Sequence, residues 1–383
     1  MPDFLDSTET MTMCTSLSYK DAAGNVYFGR TLELTIDLPY QVVHYPAGFE
    51  TRSEVPGHPA LSLTARYALL AVTMPDRLPT AQAPLTLADL KVLEGVNDQG
   101  LTFSLLSYPA AGGTQKSVDV TQAVLSASDL GAWALGNFAT VAEVKAAIAE
   151  QPVMLQPLGL LKGVESPFHY VVHDATGASI VIEFDHGKLS VYDNPVGVMT
   201  NGPRFDWHLT NLDNYTFLSN VDRSSATFGG YEARQPDSGI ATAGLPSSNT
   251  SVGRFVRAAY YAQFAEKASS PDLAVQTLAH ILNNFDRPRG ATIDYPDRNG
   301  SGHMEVEGLG QAGSEAYATE FTCWTSMSDL ARKLFFIRDY RSLNFTCFDL
   351  TALANSSHPA VVPLQKLSGS AVDATKALAG KLS

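Results

Sequence analysis

Met13-Cys14-Thr15-Ser16-Leu17-Ser18-Tyr19, followed by Gly24-Asn25-Val26-Tyr27-Phe28-Gly29-Arg30-Thr31-Leu32-Glu33, decides how the rest of this chain is read. Period-2 alternation in both runs, with the Asp21-Ala22-Ala23-Gly24-Asn25 turn between them, predicts a hairpin whose second strand ends in an arginine and a carboxylate. A hairpin alone does not account for a cysteine at its start with Met11 and Met13 just before it. Taken by itself, Cys14 reads as a small residue buried in a strand. A chain beginning at Met13 and losing that methionine would instead carry a thiol and a free α-amino group on one residue. The amine can accept the thiol proton, directly or through a water, and the thiolate can attack a carbonyl.

Composition sets the bounds. The 383 residues are 45% hydrophobic and 17% charged, which supports a large core and allows one to three domains. No apolar run approaches the ~18–20 residues of a membrane span, so a soluble protein without a membrane partner is expected. A formal charge of −13 without any Lys/Arg block argues against a nucleic-acid partner. The three cysteines, Cys14, Cys323 and Cys347, cannot make a disulfide framework. Cys323 and Cys347 lie in Phe-Thr-Cys-Trp and Phe-Thr-Cys-Phe and read as small core residues. Residues 1–13 have neither the basic nor the apolar region of a secretory signal. They read as an exposed leader, which as written places the protein in the cytoplasm; a longer native start would allow the periplasm.

Along the chain, Val42–Tyr45, Tyr67–Val72 and Thr102–Tyr108 read as strands, with a Pro/Gly/Ser-rich loop from Pro46 to Pro59 suited to the wall or lid of a site. Residues 119–150 shift to a helical period, broken near Thr140, where Thr140 and Glu143 form a capping-box pattern. His169 to Phe184 is a hairpin, and Lys188–Tyr192 and Val196–Thr200 add strands. Residues 216–250 form a long excursion without clear period. Val252–Ala268 and Asp272–Phe285 are helical, the latter started by Ser270-Pro271-Asp272. Strands return from Ala318 to Leu350, and residues 354–383 read as a loosely helical tail. Strands and helices alternating in blocks without a linker predict a single α+β domain over residues 14–353, with helices on the outer faces of its sheets.

Several motifs, taken together, resemble the choloylglycine hydrolase and penicillin V acylase family. They are Cys14-Thr15 with Gly29-Arg30-Thr31-Leu32-Glu33, Val96-Asn97-Asp98-Gln99-Gly100-Leu101, Pro195 to Pro203, Trp207-His208-Leu209-Thr210-Asn211-Leu212, and Gly253 to Ala259. They run from about Cys14 to Leu350 in the family's order, in detail closer to its Gram-negative branch. The resemblance implies the four-layer αββα sandwich of N-terminal-nucleophile hydrolases. It also implies cleavage of a linear amide bond of an N-acyl substrate (a conjugated bile salt, penicillin V or an N-acyl homoserine lactone). No cofactor or metal is called for, and a homotetramer is implied.

The resemblance carries over to individual residues. Cys14 is the expected nucleophile, with its α-amino group as base and later acid. Arg30, otherwise a cation at a strand end, matches the family arginine that favours thiolate. Glu33 matches a carboxylate that is commonly aspartate in relatives and holds the amine. Asn201, otherwise a turn former before Gly202-Pro203, matches an oxyanion donor. The second donor is a backbone N–H that falls near Ser107, where relatives carry asparagine or tyrosine. Arg254 and Arg257 share a helix face and could be a surface pair; only Arg254 matches the family's arginine. His169 and His173, facing the same way on a strand, read as core residues, and G-x-S-x-G, H-E-x-x-H and phosphate-binding loops are absent. A different outcome is a non-catalytic relative that binds acyl amides because residues 1–13 leave Cys14 with an amide in place of its amine.

Overall fold

The computed structural model describes residues 13–161, 163–295 and 317–369; the expected leader over residues 1–12 and the end of the expected tail, 370–383, lie outside the described residues. The opening hairpin forms as its alternation requires. β1 (Met13–Lys20) and β2 (Val26–Leu34) pair antiparallel, with Met13 opposite Glu33 and Cys14 opposite Leu32. Asp21 closes the turn by accepting the backbone N–H groups of Ala23 and Asn25 at 2.9 and 2.8 Å.

The chain then lays down β3 (Gln41–Tyr45), β4 (Leu69–Pro75), β5 (Leu90–Asn97) and β6 (Thr102–Ser107) before helices α1 (Leu130–Asn137) and α2 (Val141–Glu150). Next come β7 (Phe168–His173), β8 (Ser179–Asp185), β9 (Lys188–Asp193) and β10 (Val198–Met199), then α3 (Phe205–Leu212), α4 (Ser251–Phe264) and α5 (Pro271–Leu282). The described chain closes with β11 (Phe321–Asp329), β12 (Leu334–Asp339), β13 (Thr346–Asp349) and β14 (Ala360–Pro363).

Two antiparallel sheets result, one ordered β10-β1-β2-β11-β12-β13 and the other β9-β8-β7-β6-β5-β4-β3-β14. Every residue of β2 and β11 is buried, which requires cover on both faces of that sheet. Helices α4 and α5 cover it from outside against β1, β2 and β11, while α1 and α2 cover the second sheet against β5, β6 and β8. These are the four layers of the αββα sandwich. Close approach fixes the helix positions. A Cβ on Gly29 would stand 2.7 Å from Leu282 Cδ1, and one on Gly131 would stand 2.7 Å from Val92 Cβ, so both contacts depend on glycine. The helices start as their sequences predict: Thr140 and Glu143 cap each other, and Ser270 accepts the Leu273 N–H ahead of Pro271.

Four expectations need correction. Val124 and Leu125 do not begin a helix; Leu125–Ser126 is extended and pairs with Val153–Met154. The Pro46–Pro59 loop contains a short strand, Glu50–Ser53, which pairs with Leu61–Thr64 just beyond it, and the hairpin walls a crevice with Asp76, Lys91 and Asp129 that no residue of the Cys14 neighbourhood lines. The Trp207–Leu212 motif, to which no element was assigned, lies in helix α3. The start of the tail is not helical: β14 pairs with β3 and leads to a buried Leu364, because an open edge of the second sheet is available there. Cys347 is exposed, since β13 is an outermost strand and its alternation points that thiol outward. Among the described residues no helix is long and apolar enough to cross a membrane.

Candidate active site

β1 and β2 set Cys14 and Arg30 side by side in the layer between the sheets. Both are buried, Cys14 with 2% of its surface exposed and Arg30 with none. Arg30 Nη2 lies 3.2 Å from Cys14 Sγ, so a permanent cation faces the sulfur where desolvation would otherwise oppose a thiolate. The guanidinium is held from behind: Nη1 donates to Leu93 O at 2.8 Å and stands 3.6 Å from Glu94 Oε2, and the Trp324 ring lies under it at 5.0 Å. Burial pushes the Glu94 carboxyl up to about 7, against the pull of Arg30 and the Ser104 hydroxyl, which donates to the same Oε2.

The peptide of Cys14 is fixed from the other end of the chain. Asn201, just past β10, accepts the Cys14 N–H on Oδ1 at 2.9 Å. Arg254, in the first turns of α4, donates to the same Oδ1 at 2.7 Å, to Thr15 Oγ1 at 2.7 Å and to the Cys14 carbonyl. Burial pulls the Arg254 guanidinium down to about 10, with Glu33 and Cys14 opposing. Arg257 is no surface partner to it. Its guanidinium is turned to the Pro246 and Ser248 carbonyls and to Asn249, and stacks over Phe285 at 5.6 Å, which orders the chain entering α4.

Asn201 is itself fixed on every side. Its Nδ2 donates to Ser107 O at 2.9 Å, its N–H to Ser251 Oγ at 2.9 Å, and its carbonyl accepts from His208 Nε2 at 2.9 Å. His169, on β7, ties the preceding Thr200 carbonyl (2.8 Å) to Glu183 (3.0 Å). Ser107 lies where the sequence placed it, at the end of β6. Tyr108 N–H bonds Pro167 O, so by antiparallel alternation Ser107, opposite Phe168, turns both its N–H and its C=O away from β7. The carbonyl meets Asn201 on that side.

Glu33 stands across from Met13 rather than on the Cys14 nitrogen, whose N–H goes to Asn201. It is fully buried, accepts from Thr322 Oγ1 at 3.0 Å, and burial raises its carboxyl against the field of Arg254. Beside it Arg287 bridges Glu320 at 2.8 Å and the sulfur of Met13 at 3.0 Å; burial pushes the Glu320 carboxyl up to about 7. Met13 also lines a cleft of about 650 Å³ formed by Tyr108, Pro109, Pro203 and Trp207 and reaching Asn201 and Arg254. Neither the 34–65 nor the 216–250 segment lines it. Among the described residues no three His, Cys, Asp or Glu side chains gather as a metal site.

The structure thus brings together Cys14, Arg30, Asn201, Ser107 and Arg254, with Glu33 one residue away. Glu94, Arg287 and Glu320 were missed. Glu94 had a readable signal, a lone charge inside the otherwise apolar Val92–Val96 run, which must find a buried partner.

Known proteins are similar to this chain in sequence and in fold. The model for linear amide C–N hydrolases of the choloylglycine hydrolase family matches residues 14–301. A bile salt hydrolase/transferase from Clostridium perfringens is 29% identical over 75% of this chain and 83% of its own length. A penicillin V acylase from Pectobacterium atrosepticum is 27% identical over 74% and 72%. These identities do not separate the family's branches. In fold, the chain is similar to the penicillin V acylase of Agrobacterium tumefaciens (TM-score 0.67, 22% identity, 91% and 90% covered). It is also similar to a variant of the conjugated bile acid hydrolase of Clostridium perfringens (TM-score 0.75, 22% identity, 94% and 99% covered). With a cysteine, two buried arginines and an asparagine converging on one peptide, and a family match over most of its length, this chain belongs to the choloylglycine hydrolase family of linear amide C–N hydrolases.

Proposed function

We propose that the protein is a cysteine N-terminal-nucleophile amidase acting on N-acyl amides through a thioester. The observation that carries this reading is Arg30 Nη2 at 3.2 Å from Cys14 Sγ, with the Cys14 nitrogen held separately by Asn201. Removal of residues 1–13 frees that nitrogen as an amine. The amine takes the thiol proton, and sulfur adds to the substrate carbonyl. Asn201 Nδ2, whose second hydrogen is free of Ser107, and the Ser107 N–H receive the oxyanion. Collapse breaks the C–N bond as the ammonium returns its proton to the leaving amine. Water then adds to the thioester, its proton taken by the amine, and the acid departs with the thiol restored. Glu33, raised by burial and beside Arg254, steadies the ammonium from the Met13 side.

The apolar cleft beside Asn201 suits a lipophilic substrate, so conjugated bile salts, penicillin V and N-acyl homoserine lactones are the classes proposed. Phe217, Val221, Phe228 and Tyr231, exposed on the excursion after α3, support a homo-oligomer, by resemblance a tetramer. One observation favours a second reading, an acyl-amide binder without turnover: Met13 continues β1 and keeps the Cys14 nitrogen an amide. A hydrolysis panel of glycocholate, taurocholate, penicillin V and acyl homoserine lactones separates the two. Turnover by protein starting at Cys14 and silence of protein retaining residues 1–13 support the amidase; binding without turnover by both supports the binder.

A further inference from the structure

We infer that Glu94 is a positioning residue that competes with the Cys14 thiolate for Arg30 and thereby sets the ionisation of the nucleophile. The inference rests on the amidase reading for its importance, not for its test.

The geometry is a three-member line through one guanidinium. Arg30 offers Nη2 to Cys14 Sγ at 3.2 Å and Nη1 to Glu94 Oε2 at 3.6 Å, and all three side chains are shut away from water. In such surroundings a cation shared between two anions holds each less strongly than it would hold one. The groups facing Glu94 are few. Arg30 comes from β2 and the Ser104 hydroxyl from the neighbouring β6, and Arg30 is the charged side chain acting on it among the described residues. Leu93 O takes the remaining Nη1 direction, so the guanidinium cannot swing wholly to either anion. Glu94 also keeps an oxygen, Oε1, without a hydrogen-bond partner in the described structure. A purely structural carboxylate would be expected to use both oxygens.

The two ionisations therefore oppose each other. When Glu94 holds a proton, Arg30 is free to stabilise the thiolate; when Glu94 is ionised, part of that stabilisation is withdrawn. Burial places the Glu94 carboxyl at about 7, so the exchange happens near neutrality.

Thiolate ultraviolet absorbance followed against pH, with a Cys14→Ser protein as the reference to subtract Cys323 and Cys347, reads this directly and needs no substrate. Glu94→Gln keeps the shape and removes the competing charge, so the Cys14 midpoint should fall by about one pH unit. Glu94→Asp keeps a charge but draws it back from Arg30 by one methylene, so it should lower the midpoint by clearly less than Glu94→Gln does, within about half a unit of the wild type. If Glu94→Gln does not fold, Glu94→Asp still decides: a midpoint lowered by a full unit overturns the inference. A Glu94→Gln midpoint equal to the wild type, or moved upward, also overturns it. Failure of the amidase reading would show instead as absent turnover while the Glu94→Gln midpoint still falls.

Discussion

Cys14 and Cys323 lie in the same sheet, on strands each paired to β2, and are almost equally buried, at 2% and 3% exposure. Their surroundings differ in sign. Cys14 faces a guanidinium, while Cys323 faces the carbonyls of Ile36 at 3.5 Å and Phe321 at 3.8 Å, and burial with Asp37 nearby pushes its thiol well above the ordinary range. Burial alone therefore does not make a cysteine inert or reactive; the charge that accompanies burial does.

Exchanging sulfur for oxygen at each position breaks this comparison most sharply. Cys14→Ser should lose on the order of 10³-fold or more in turnover while remaining folded, and Cys323→Ser should keep wild-type turnover. Steady-state hydrolysis of a reactive acyl amide checks both. Retained activity in Cys14→Ser would end the assignment of the nucleophile.

The next effect belongs to the amide that holds Cys14. Asn201→Ala should lower kcat by ~10²–10³ with little change in KM, because its donor matters once charge has built up on oxygen. An effect confined to KM would make Asn201 a substrate-positioning group.

A third difference is in pH. Glu94 and Glu320 both crowd the Cys14 side of the sheet pair with folded-state values of about 7, above the ordinary 4.5. A raised carboxyl holds its proton longer in the folded chain than in the unfolded one. Its favourable contribution is full below the unfolded value and is lost as pH rises through about 7. Each should cost roughly 3 kcal/mol between pH 4.5 and 8, and Glu320→Gln should flatten that slope. Urea midpoints across this range measure it; a slope unchanged by Glu320→Gln would remove Glu320 from the account.

The smallest effect returns to Cys323. Its serine variant should be less stable by about 1 kcal/mol, since a hydroxyl replaces a weak donor in an apolar layer. Denaturant unfolding of that variant at neutral pH measures it.

Much of this contrast was legible in the chain. The hairpin of Cys14 and Arg30 lies within twenty residues and obeys period-2 alternation, and the caps at Thr140 and Ser270 follow local rules. The meeting of Cys14 with Asn201 and Arg254 spans 187 and 240 residues, and nothing in spacing links them; family motifs alone did. Cys347 was misread because Phe-Thr-Cys-Phe fits an inner strand as well as an outermost one, and only sheet order tells them apart. Glu320 and Arg287 stood beyond reach for a different reason. Arg287 reaches Met13, and Glu320 reaches Arg287, only after distant strands have come together.

The span from Cys14 to Arg254 has a meaning in time. At the ~5–20 residues per second at which chains are made, the 240 residues separating the two take on the order of 10–50 s to emerge. Through that interval the new chain has its sulfur and its first arginine but lacks the clamp that orients their peptide. A nascent chain thus passes through most of its synthesis with an incompletely assembled centre, which cannot be complete before the helix that begins at Ser251 has emerged.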